Sequence, residues 1–500
     1  MKVGIRKRHI YNVLGVIIVV FWITMLSLLI KKQYIPHDSL PGIEGQTEPG
    51  KARQNWKEIF LKGKKVGYAV NTINQFENSY YIQDELYLKL NLMGFEKGLY
   101  TITQSSVDSN FRLKNFFFKI NSGVINYSIS GKVEGNVLII KTGTGRRAKT
   151  TELKLPEIPM ISSSVDQLLR KIKLVPGESH RLSFFDPSTM TQKDAVFNVI
   201  AREKLKINYM EYDAYRIESE MWGNKLTFWV DMNGGDILRE EGFMGLTMVK
   251  SSAANAPANL EEGSDDFYEI TAVEADKKIP DTDRLTMLKL RLVGIDDTEF
   301  DMAGLITERQ DFNNNVVTVK KERKPFKLAY NIPYSGDDPE LQKYLEPEFN
   351  IQSDDREIIE KAVEITGKER TPVAVSRKMM EWVYSSISKQ PVVSIPSALE
   401  VLHNKTGDCN EHATLLTALL RAAGIPSRIS VGLVYIREKY FYHAWVEAYT
   451  GQWITLDPTL NQMPADVTHI SLLRGNIDKQ VEIMGLIGKL KIEVMDFEYY

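Results

Sequence analysis

Hydrophobic and polar residues alternate through much of residues 55–250, and this period of two predicts β-strands. Three successive segments, FRLKNFFFKI, GVINYSISGKVE and NVLIIKTG, are separated by the turn sequences NSG and EGN. In the middle segment Ile125, Tyr127 and Ile129 share one face, while polar residues occupy the other. A strand with one apolar face is typical of an antiparallel sheet that covers a core on one side. Residues 55–250 are therefore predicted to form a β-rich antiparallel domain.

Two shorter patterns lie within this domain, and a third ends it. KLTFWVDMNGGDILREEG predicts a hairpin that turns at Asn233, Gly234 and Gly235, and SSVDQLLRKIKL predicts a short helix. The segment SSAANAPANLEEGSDD is small, polar and aperiodic, which indicates a domain boundary or a long loop. Beyond it, RLTMLKLRLVGI and NNVVTVKKE predict more strands. Residues 251–350 are thus a linker with strands that the pattern assigns to neither side.

Helical periodicity replaces the alternation in residues 351–476. DDREIIEKAVEIT and TPVAVSRKMMEWVYSSI each carry an apolar stripe, and Thr371 is the predicted N-cap of the second helix. Ser397 and Glu400 have the spacing of a capping box at the start of SALEVLHNK. Strand patterns return after these helices. Residues 351–476 are therefore predicted to form an α+β domain, followed by a C-terminal strand extension over residues 477–500.

The amino-terminal pattern is different, because Ile10–Ile30 is an uncharged run of 21 residues. As a helix this run would be about 30 Å long, roughly the thickness of the hydrocarbon core of a bilayer. Four basic residues precede it and two lysines follow it, which places residues 1–9 in the cytoplasm and the bulk of the chain on the extracytoplasmic side, periplasmic or outer face. Residues 31–54 then form a juxtamembrane linker. A cleaved signal peptide is the alternative, but no small-x-small cleavage site follows Leu29.

Composition narrows the possible partners and chemistry. Lysine and arginine total 63 and aspartate and glutamate total 65, so the formal net charge of −2 gives no reason to expect nucleic acid as a partner. The chain contains one cysteine, Cys409, which cannot form an internal disulfide. Three roles are open to such a residue: an inert core thiol, an intermolecular bridge or a nucleophile.

Cys409 lies in GDCNEHATLLTALLRAAGIPSR, which has the pattern of a helix. Asp408 and Glu411 have capping-box spacing, leucines supply an apolar face, and Gly424 ends the helix. Cys409 is then the first helical residue, where unpaired amides and the helix dipole favour a thiolate. The carboxylates of Asp408 and Glu411 oppose a second negative charge at this place. The thiol therefore needs a cationic partner.

The segment YFYHAWVEAYTGQWITLDPTL supplies a candidate partner, His443. Its two halves alternate around a turn, and a loop of Tyr449–Gly451 would pair Ala448 with Gln452 and place His443 directly opposite Asp457. Cross-strand neighbours have β-carbons about 4.5 to 5.5 Å apart, so the imidazole can reach the carboxylate. His443 would take the thiol proton and Asp457 would hold the ring, which is the logic of a catalytic triad.

Three segments, GDCNEHATLLTALLRAAGIPSR, YFYHAWVEAY and QWITLDPTL, resemble in this order the signature blocks of the transglutaminase-like superfamily, and in particular its bacterial membrane-associated members. The resemblance covers about residues 355–476. It implies a papain-like fold with Cys409, His443 and Asp457 as the catalytic triad. The predicted fold class is therefore α+β: a C-terminal transglutaminase-like (papain-like) domain after a β-rich antiparallel domain and an N-terminal transmembrane helix.

The patterns and the resemblance together predict a membrane-anchored, extracytoplasmic cysteine enzyme. It would attack an amide, either a peptide bond or a glutamine side chain, through a thioester on Cys409, and the breadth of the family favours hydrolysis over crosslinking. The expected partners are a protein or peptide substrate and the membrane, and no cofactor or metal is expected. The alternative is a non-catalytic envelope binding or assembly protein whose β domain or triad cleft holds a protein, peptide or lipid ligand.

An enzyme of this kind needs two donors for the oxyanion of its intermediate. The amide of Cys409 is one predicted donor, and Gln390 and Trp382 are candidates for the second. Trp445 and Trp453 are predicted to be core residues or pocket walls.

Four polar residues lie within the blocks or next to them and have alternative roles. Asp466 and His469 follow the third block and are candidates either for the cleft lining or for a structural role. Asp408 and His412 have the i, i+4 spacing of metal ligands, but two ligands do not make a site and a helix cap explains Asp408.

Overall fold

The structure is a computed structural model that describes residues 52–122, 126–142, 149–221, 224–242, 245–260, 266–295, 302–322, 330–392, 397–475, 483 and 486–500. The predicted membrane anchor, residues 10–30, lies outside this set. None of the helices within these ranges has the length and apolar character needed to span a bilayer.

An antiparallel sheet built from residues 53–251 forms the first part of the fold. Its fifteen described strands follow the order β8-β7-β6-β5-β4-β3-β2-β1-β15-β14-β13-β12-β11-β10-β9, so that the first strand, β1, pairs with β15. Only the short β9 runs parallel to its neighbour. The strands are β1 Arg53–Leu61, β2 Lys64–Phe76, β3 Ser79–Leu92, β4 Phe95–Asp108, β5 Leu113–Asn121, β6 Asn126–Glu134, β7 Val137–Thr142, β8 Lys149–Lys154, β9 Met160–Ile161, β10 Ser179–Asp186, β11 Thr191–Ile207, β12 Met210–Met221, β13 Asn224–Asp231, β14 Ile237–Glu241 and β15 Leu246–Ser251.

The period of two predicted for this sheet places most of its buried apolar residues in one core. A small separate core contains Leu205, Ile207, Ala214 and Leu238. In β6, Tyr127 and Ile129 are buried as expected, while Ile125 lies outside the described residues. The predicted hairpin is formed by β13 and β14, with Gly235 at a positive φ that favours glycine. The predicted short helix is α1, Val165–Lys171, whose Leu168 packs into the core of the sheet. The prediction of a β-rich antiparallel region is therefore confirmed.

Helices and short sheets from residue 267 onward form the second part. Its helices are α2 Phe267–Thr271, α3 Pro339–Gln342, α4 Arg356–Thr366, α5 Pro372–Ser386, α6 Ala398–Asn404 and α7 Cys409–Ala422. Its strands are β16 Val273–Glu274, β17 Leu285–Val293, β18 Gln310–Asn313, β19 Val316–Lys320, β20 Ser388–Lys389, β21 Thr406–Gly407, β22 Ser427–Ile436, β23 Lys439–Tyr449, β24 Trp453–Leu456, β25 Ile470–Arg474 and β26 Lys491–Tyr499.

Helix α7 lies at the centre of this part. It contacts α4, α5 and α6 on one side and strands β22 and β23 on the other, and its residues 411–421 are all buried. A helix buried on every side must satisfy its polar side chains internally. Thr417 does so by donating its hydroxyl to the carbonyl of Ala413 at 2.8 Å. Helix α7 can thus hold its first residue rigidly against β23.

The strands predicted within residues 251–350 belong to this second part. β17 and β19 pair with each other, β18 pairs with β19, and β17 also pairs with the distant β26 in the order β18-β19-β17-β26. Leu288 and Val319 lie in the same hydrophobic core as the leucines of α7. These strands therefore support the α7 region and not the large sheet.

Two predicted caps are wrong in detail. Thr371 occupies the N-cap position of α5, but its hydroxyl donates to Glu369 Oε1 at 2.8 Å and does not cap the helix. Ser397 precedes α6, but its side chain accepts no hydrogen bond from the first helical turn. The side chain of Gln352 takes its place, because Gln352 Oε1 accepts the amide of Leu399 at 3.3 Å while its Nε2 donates to Ser397 Oγ at 3.2 Å. Gln352, which is close in space but distant in sequence, thus replaces the local cap.

Candidate active site

The predicted capping box at the start of α7 is confirmed. The side chain of Asp408 accepts the amide hydrogen of Asn410 at 3.1 Å, and the amide of Asp408 donates to Glu411 Oε2 at 2.9 Å. Cys409 is therefore the first residue of the helix, half-buried against the core. The free backbone amides of the first turn of α7 therefore point toward the end of the helix at which Cys409 lies.

The predicted register of the β23–β24 hairpin is wrong by two residues. Tyr449 pairs with Trp453, so the loop is residues 450–452, with Gly451 at φ +105° and the Thr450 amide donating to the Gln452 carbonyl at 2.8 Å. Asp457 follows β24 and is not directly opposite His443. A shift of two keeps every side chain on its original face, whereas a shift of one would reverse it.

His443 and Asp457 consequently still meet. His443 Nε2 lies 2.7 Å from Asp457 Oδ2, and both side chains are buried. The other oxygen of the carboxylate, Oδ1, accepts the backbone amides of Thr459 at 2.7 Å and Leu460 at 2.9 Å. His443 Nδ1 makes no hydrogen bond to any residue in the described part of the chain, which leaves it available to a nucleophile. The pair has the geometry of a base and its orienting acid.

Cys409 lies near this pair, because the backbone amide of Ala444, the residue after His443, and the Asp457 carboxylate both influence its thiol. Burial raises the pKa of the Cys409 thiol well above its ordinary value, and Asp408, Glu411 and Asp457 raise it further, while the Ala444 amide lowers it. The balance favours a neutral thiol at rest. Burial, with the carboxylates recognised in the sequence as a second cause, therefore keeps the thiol neutral.

The sequence left two roles open for His469, and the structure places it in the buried interior in contact with Asp457. It is almost completely buried, its Nε2 is 3.0 Å from Asp457 Oδ2, and its Nδ1 is 3.2 Å from Asp466 Oδ1. Burial alone would lower the pKa of His469, but the hydrogen bonds to Asp457 and Asp466 raise it to about 9. His469 is therefore an imidazolium at neutral pH that bridges two carboxylates.

The charge of Asp457 follows from these contacts. Burial alone would raise its pKa, but the charge and hydrogen bond of His443 and the hydrogen bond of His469 hold it well below the usual range. The same three residues could in principle ligate a metal ion. Two ligands about 2.0 Å from one tetrahedral zinc ion stand about 3.3 Å apart. The observed 2.7 and 3.0 Å fit hydrogen bonds better.

A buried guanidinium holds the loop that carries Asp457 and His469. Arg309, which precedes β18, donates to the carbonyls of Ala465 at 2.6 Å and His469 at 3.2 Å, and also to that of Asp466. It pairs with Glu322 at 3.4 Å. No local sequence signal marks Arg309, because the residues that it holds lie about 150 positions away.

The remaining predicted residues are less directly connected to the thiol. Trp445 is buried and packs edge-on against the His469 ring at 5.2 Å, so it is a core residue beside the two histidines that contact Asp457. Trp453 stacks with the Arg428 guanidinium at 3.9 Å. The Gln390 amide donates to the Gly407 carbonyl at 3.1 Å, which brings its backbone, with an exposed side chain, near the start of α7. Trp382 lies against Lys361, and within the described residues no contact joins it to Cys409.

The pair Asp408 and His412 has the geometry of a helix cap. His412 Nδ1 lies 2.6 Å from the carbonyl oxygen of Asp408, and the Asp408 carboxylate caps the helix. Burial lowers the pKa of His412, which is therefore neutral at pH 7.

Residues 359–458 match the sequence model of the transglutaminase-like superfamily. This stretch is a transglutaminase-like domain. The domain contains Cys409, His443 and Asp457, whereas Arg309 and His469 lie outside the matched residues. The predicted resemblance is confirmed for this part of the chain.

Several proteins of other organisms resemble the chain. An uncharacterised protein of Mycobacterium leprae is 35% identical over 71 residues, which are 13% of this chain and 25% of that protein. The chain thus spans about a quarter of the length of this curated relative. A candidate cysteine protease from Cytophaga hutchinsonii has 18% identity and a TM-score of 0.28 over 43% of this chain and 86% of its own. A candidate protease from Parabacteroides distasonis has 10% identity and a TM-score of 0.19 over 71% of this chain and 68% of its own.

Proposed function

We propose that the transglutaminase-like domain is a cysteine enzyme that attacks an amide of a protein or peptide through a thioester on Cys409. The observation that carries the proposal is the juxtaposition at the start of α7. The only thiol of the chain lies near the backbone amide of Ala444, the residue after His443, and His443 in turn bonds a buried, ionised Asp457 at 2.7 Å. A nucleophile, a base and an orienting acid are the parts that acyl transfer requires.

The neutral resting thiol determines the order of proton transfers. His443 Nδ1 removes the thiol proton as the sulfur attacks the carbonyl carbon, so that Asp457 faces a cationic imidazolium only after attack begins. The carbon–nitrogen bond then breaks, the proton passes from His443 to the leaving amine, and the acyl group stays on sulfur. In the second half, His443 takes a proton from the acceptor, the acceptor oxygen or nitrogen attacks the thioester, and the thiol is restored.

Water is the acceptor that we propose, so that the reaction is hydrolysis. A peptide bond and a glutamine side chain both present the required amide carbonyl. We also propose that residues 10–30 anchor the enzyme with its catalytic domain outside the cytoplasm, which rests on the uncharged run and its basic flanks. Recovery of the full-length chain in the soluble fraction after membranes are pelleted would contradict the anchor.

Alkylation of the single cysteine tests the catalytic proposal without a known substrate. The full-length chain is treated with iodoacetamide between pH 5 and 10, and the adduct is measured by intact mass spectrometry. If His443 acts as the base, the wild type should react at pH 7 at least about 10-fold faster than His443→Ala. Equal rates in the two proteins would defeat the enzyme proposal and favour the binding or assembly alternative.

Trapping the intermediate then identifies the donor. Incubation with amide and activated ester donors should add an acyl mass to Cys409 that hydroxylamine removes, since thioesters are cleaved by this nucleophile. Release of the free acid in water, and of an amide only when an amine is added in excess, distinguishes hydrolysis from crosslinking.

A further inference from the structure

The geometry points to His469 as a positioning residue of the active site: by donating to Asp457 Oδ2, it fixes the carboxylate that orients His443. This inference rests on the proposed function, because it assigns His469 a part in the same acyl transfer. His469 lies 11 positions beyond the last residue of the transglutaminase-like match, which ends at residue 458.

The first observation concerns the bonds of Asp457. Both histidines approach the same oxygen, Oδ2, at 2.7 Å for His443 Nε2 and 3.0 Å for His469 Nε2, while Oδ1 is held by two backbone amides. The carboxylate is fully buried. Because each of its oxygens has two partners, it can rotate only by breaking a buried hydrogen bond. Without His469, Oδ2 would keep one partner, and the carboxylate would have room to turn away from His443.

The second observation concerns the packing of three rings around this oxygen. Trp445 stacks at 6.3 Å on His443 with an interplanar angle of 24° and meets His469 edge-on at 5.2 Å. The two imidazoles are 5.8 Å apart. The Arg309 guanidinium holds the His469 carbonyl. The backbone and the side chain of His469 are thus both held, which is the arrangement expected of a group that must keep another group in place.

The third observation concerns charge. The groups that face His469 are Asp457, Asp466 and His443, with Arg309 bound to its backbone. An imidazolium next to Asp457 would by itself cancel the negative charge that stabilises His443 when it accepts the thiol proton. Asp466 restores that charge, so that Asp457, His469 and Asp466 together carry −1. We therefore expect Asp466→Asn to lower the rate less than His469→Ala does, because Asp466 contributes its charge and does not position Asp457.

The decisive measurement is a double-mutant cycle on Cys409 alkylation at pH 7 in the full-length chain. His469→Ala should lower the rate about 10-fold or more in the wild-type background, since small misplacements of catalytic groups cost up to about 100-fold. In the His443→Ala background the same change should have no further effect, because His469 acts through His443. Equal effects in both backgrounds would show a general structural role and overturn the inference.

Two substitutions at the same position separate hydrogen bonding from bulk. Glutamine can place its amide nitrogen near the position of Nε2 and donate to Asp457, whereas the shorter asparagine reaches only the position of Nδ1. His469→Gln should therefore recover part of the rate, and His469→Asn should not. No recovery by glutamine, or equal recovery by both, would contradict the positioning role.

His403 supplies a matched control. Its Nε2 lies 2.7 Å from Glu357 Oε2, but both side chains are partly exposed on the surface. His403→Ala should leave the alkylation rate unchanged. A wild type that reacts no faster than His443→Ala would defeat the proposed function itself. A wild type that depends on His443 but not on His469 would defeat only the present inference.

A spectroscopic test observes the histidine protons in the wild type and uses His469→Gln only to assign them. The chain has seven histidines, so nitrogen-15 labelling of histidine gives few signals. One imidazole should keep protons on both nitrogens at neutral pH, with slowly exchanging, downfield proton resonances, and these should vanish in His469→Gln. A His469 Nε2 that carries no proton in the wild type would overturn the inference even if His469→Ala unfolds.

Discussion

The hydroxyl of Tyr268 donates a 2.9 Å hydrogen bond to Asp408 Oδ2, one residue before the cysteine at the start of α7. Tyr268 belongs to α2, a short helix that also packs against the core of the large sheet through Tyr268 itself and Phe267. The bond therefore links the β-rich domain to the electrostatics of Cys409. Because Asp408 raises the pKa of the thiol, a donor that stabilises the Asp408 charge reduces its influence on the sulfur.

Removal of that donor should lower the alkylation rate of the Cys409 thiol. In Tyr268→Phe the full charge of Asp408 acts on Cys409, so alkylation at pH 7 should fall about threefold and the pH at which the rate is half-maximal should rise. Tyr440→Phe is the matched control, since this buried hydroxyl has no hydrogen-bond partner among the described residues. An unchanged rate in Tyr268→Phe would show that the bond serves only packing.

Removal of the Asp408 charge should raise the alkylation rate of Cys409. Asparagine is as good an N-cap as aspartate, so Asp408→Asn should keep the free energy of unfolding within about 0.5 kcal/mol while raising the alkylation rate at pH 7 by about 3- to 10-fold. Asp408→Ala separates the two roles, because it should raise the rate similarly but cost about 1 kcal/mol through loss of the cap. Rates are measured by mass spectrometry and stability by urea unfolding. A slower Asp408→Asn would mean that the charge assists catalysis.

Arg309 should be the most sensitive support residue outside the transglutaminase-like match. Arg309→Leu removes the hydrogen bonds to residues 465–469 and leaves Glu322 buried without its cation, which should cost about 3 kcal/mol of unfolding free energy. The double variant with Glu322→Gln should recover part of that loss. Arg181 pairs with Asp194 at 3.8 Å on an exposed surface, so Arg181→Ala should change stability by less than about 0.5 kcal/mol. Equal losses of unfolding free energy in Arg309→Leu and Arg181→Ala would contradict the role of Arg309 in holding residues 465–469.

Asp84 should make stability depend on pH. Burial raises its pKa to about 7, although the hydrogen bond from Asn71 Nδ2 at 2.6 Å acts in the opposite direction. The folded state therefore binds the proton more tightly than the unfolded state. The ionised Asp84 lowers the free energy of unfolding, and this loss is absent below about pH 4 and grows until about pH 7. Asp84→Asn should raise the free energy of unfolding by about 2 kcal/mol at pH 8 and leave it unchanged at pH 4.

The control for this prediction is Asp194→Asn, whose carboxylate is about half exposed. Urea midpoints at pH 4 and pH 8 should coincide with those of the wild type. A pH-independent effect of Asp84→Asn would show that hydrogen bonding, and not protonation, determines its contribution.

Local patterns predicted the elements that depend on neighbours in sequence. The capping box of Asp408 and Glu411 formed as expected, because both partners lie within one turn. The strand face that contains Tyr127 also formed as expected. The hairpin before Asp457 has a loop of the predicted length, three residues, but the loop lies one position further along the chain, which shifts the cross-strand pairing by two. The face survived because side chains alternate with a period of two.

Contacts between distant residues could not be predicted in the same way. Ser397 has the sequence of a capping residue, but Gln352 competes for the same role from another segment. His469 and Arg309 support the triad through a loop whose path no local pattern specifies. The sequence therefore indicated the proposed reacting groups, named His469 without deciding its role, and gave no sign of Arg309.

The pairing of β17 with β26 has a consequence for synthesis of the chain. Leu288 pairs with Phe497, so β17 leaves the ribosome roughly 200 residues before its partner, a delay of about 10 to 40 s at ordinary translation rates. During that interval one edge of β17 is unpaired, and Cys409, His443 and Asp457 are all made before it ends, Asp457 about 40 residues before Phe497. The nascent chain thus holds all three reacting groups before their common core is closed, and we expect it to need a chaperone or a partner strand during that time.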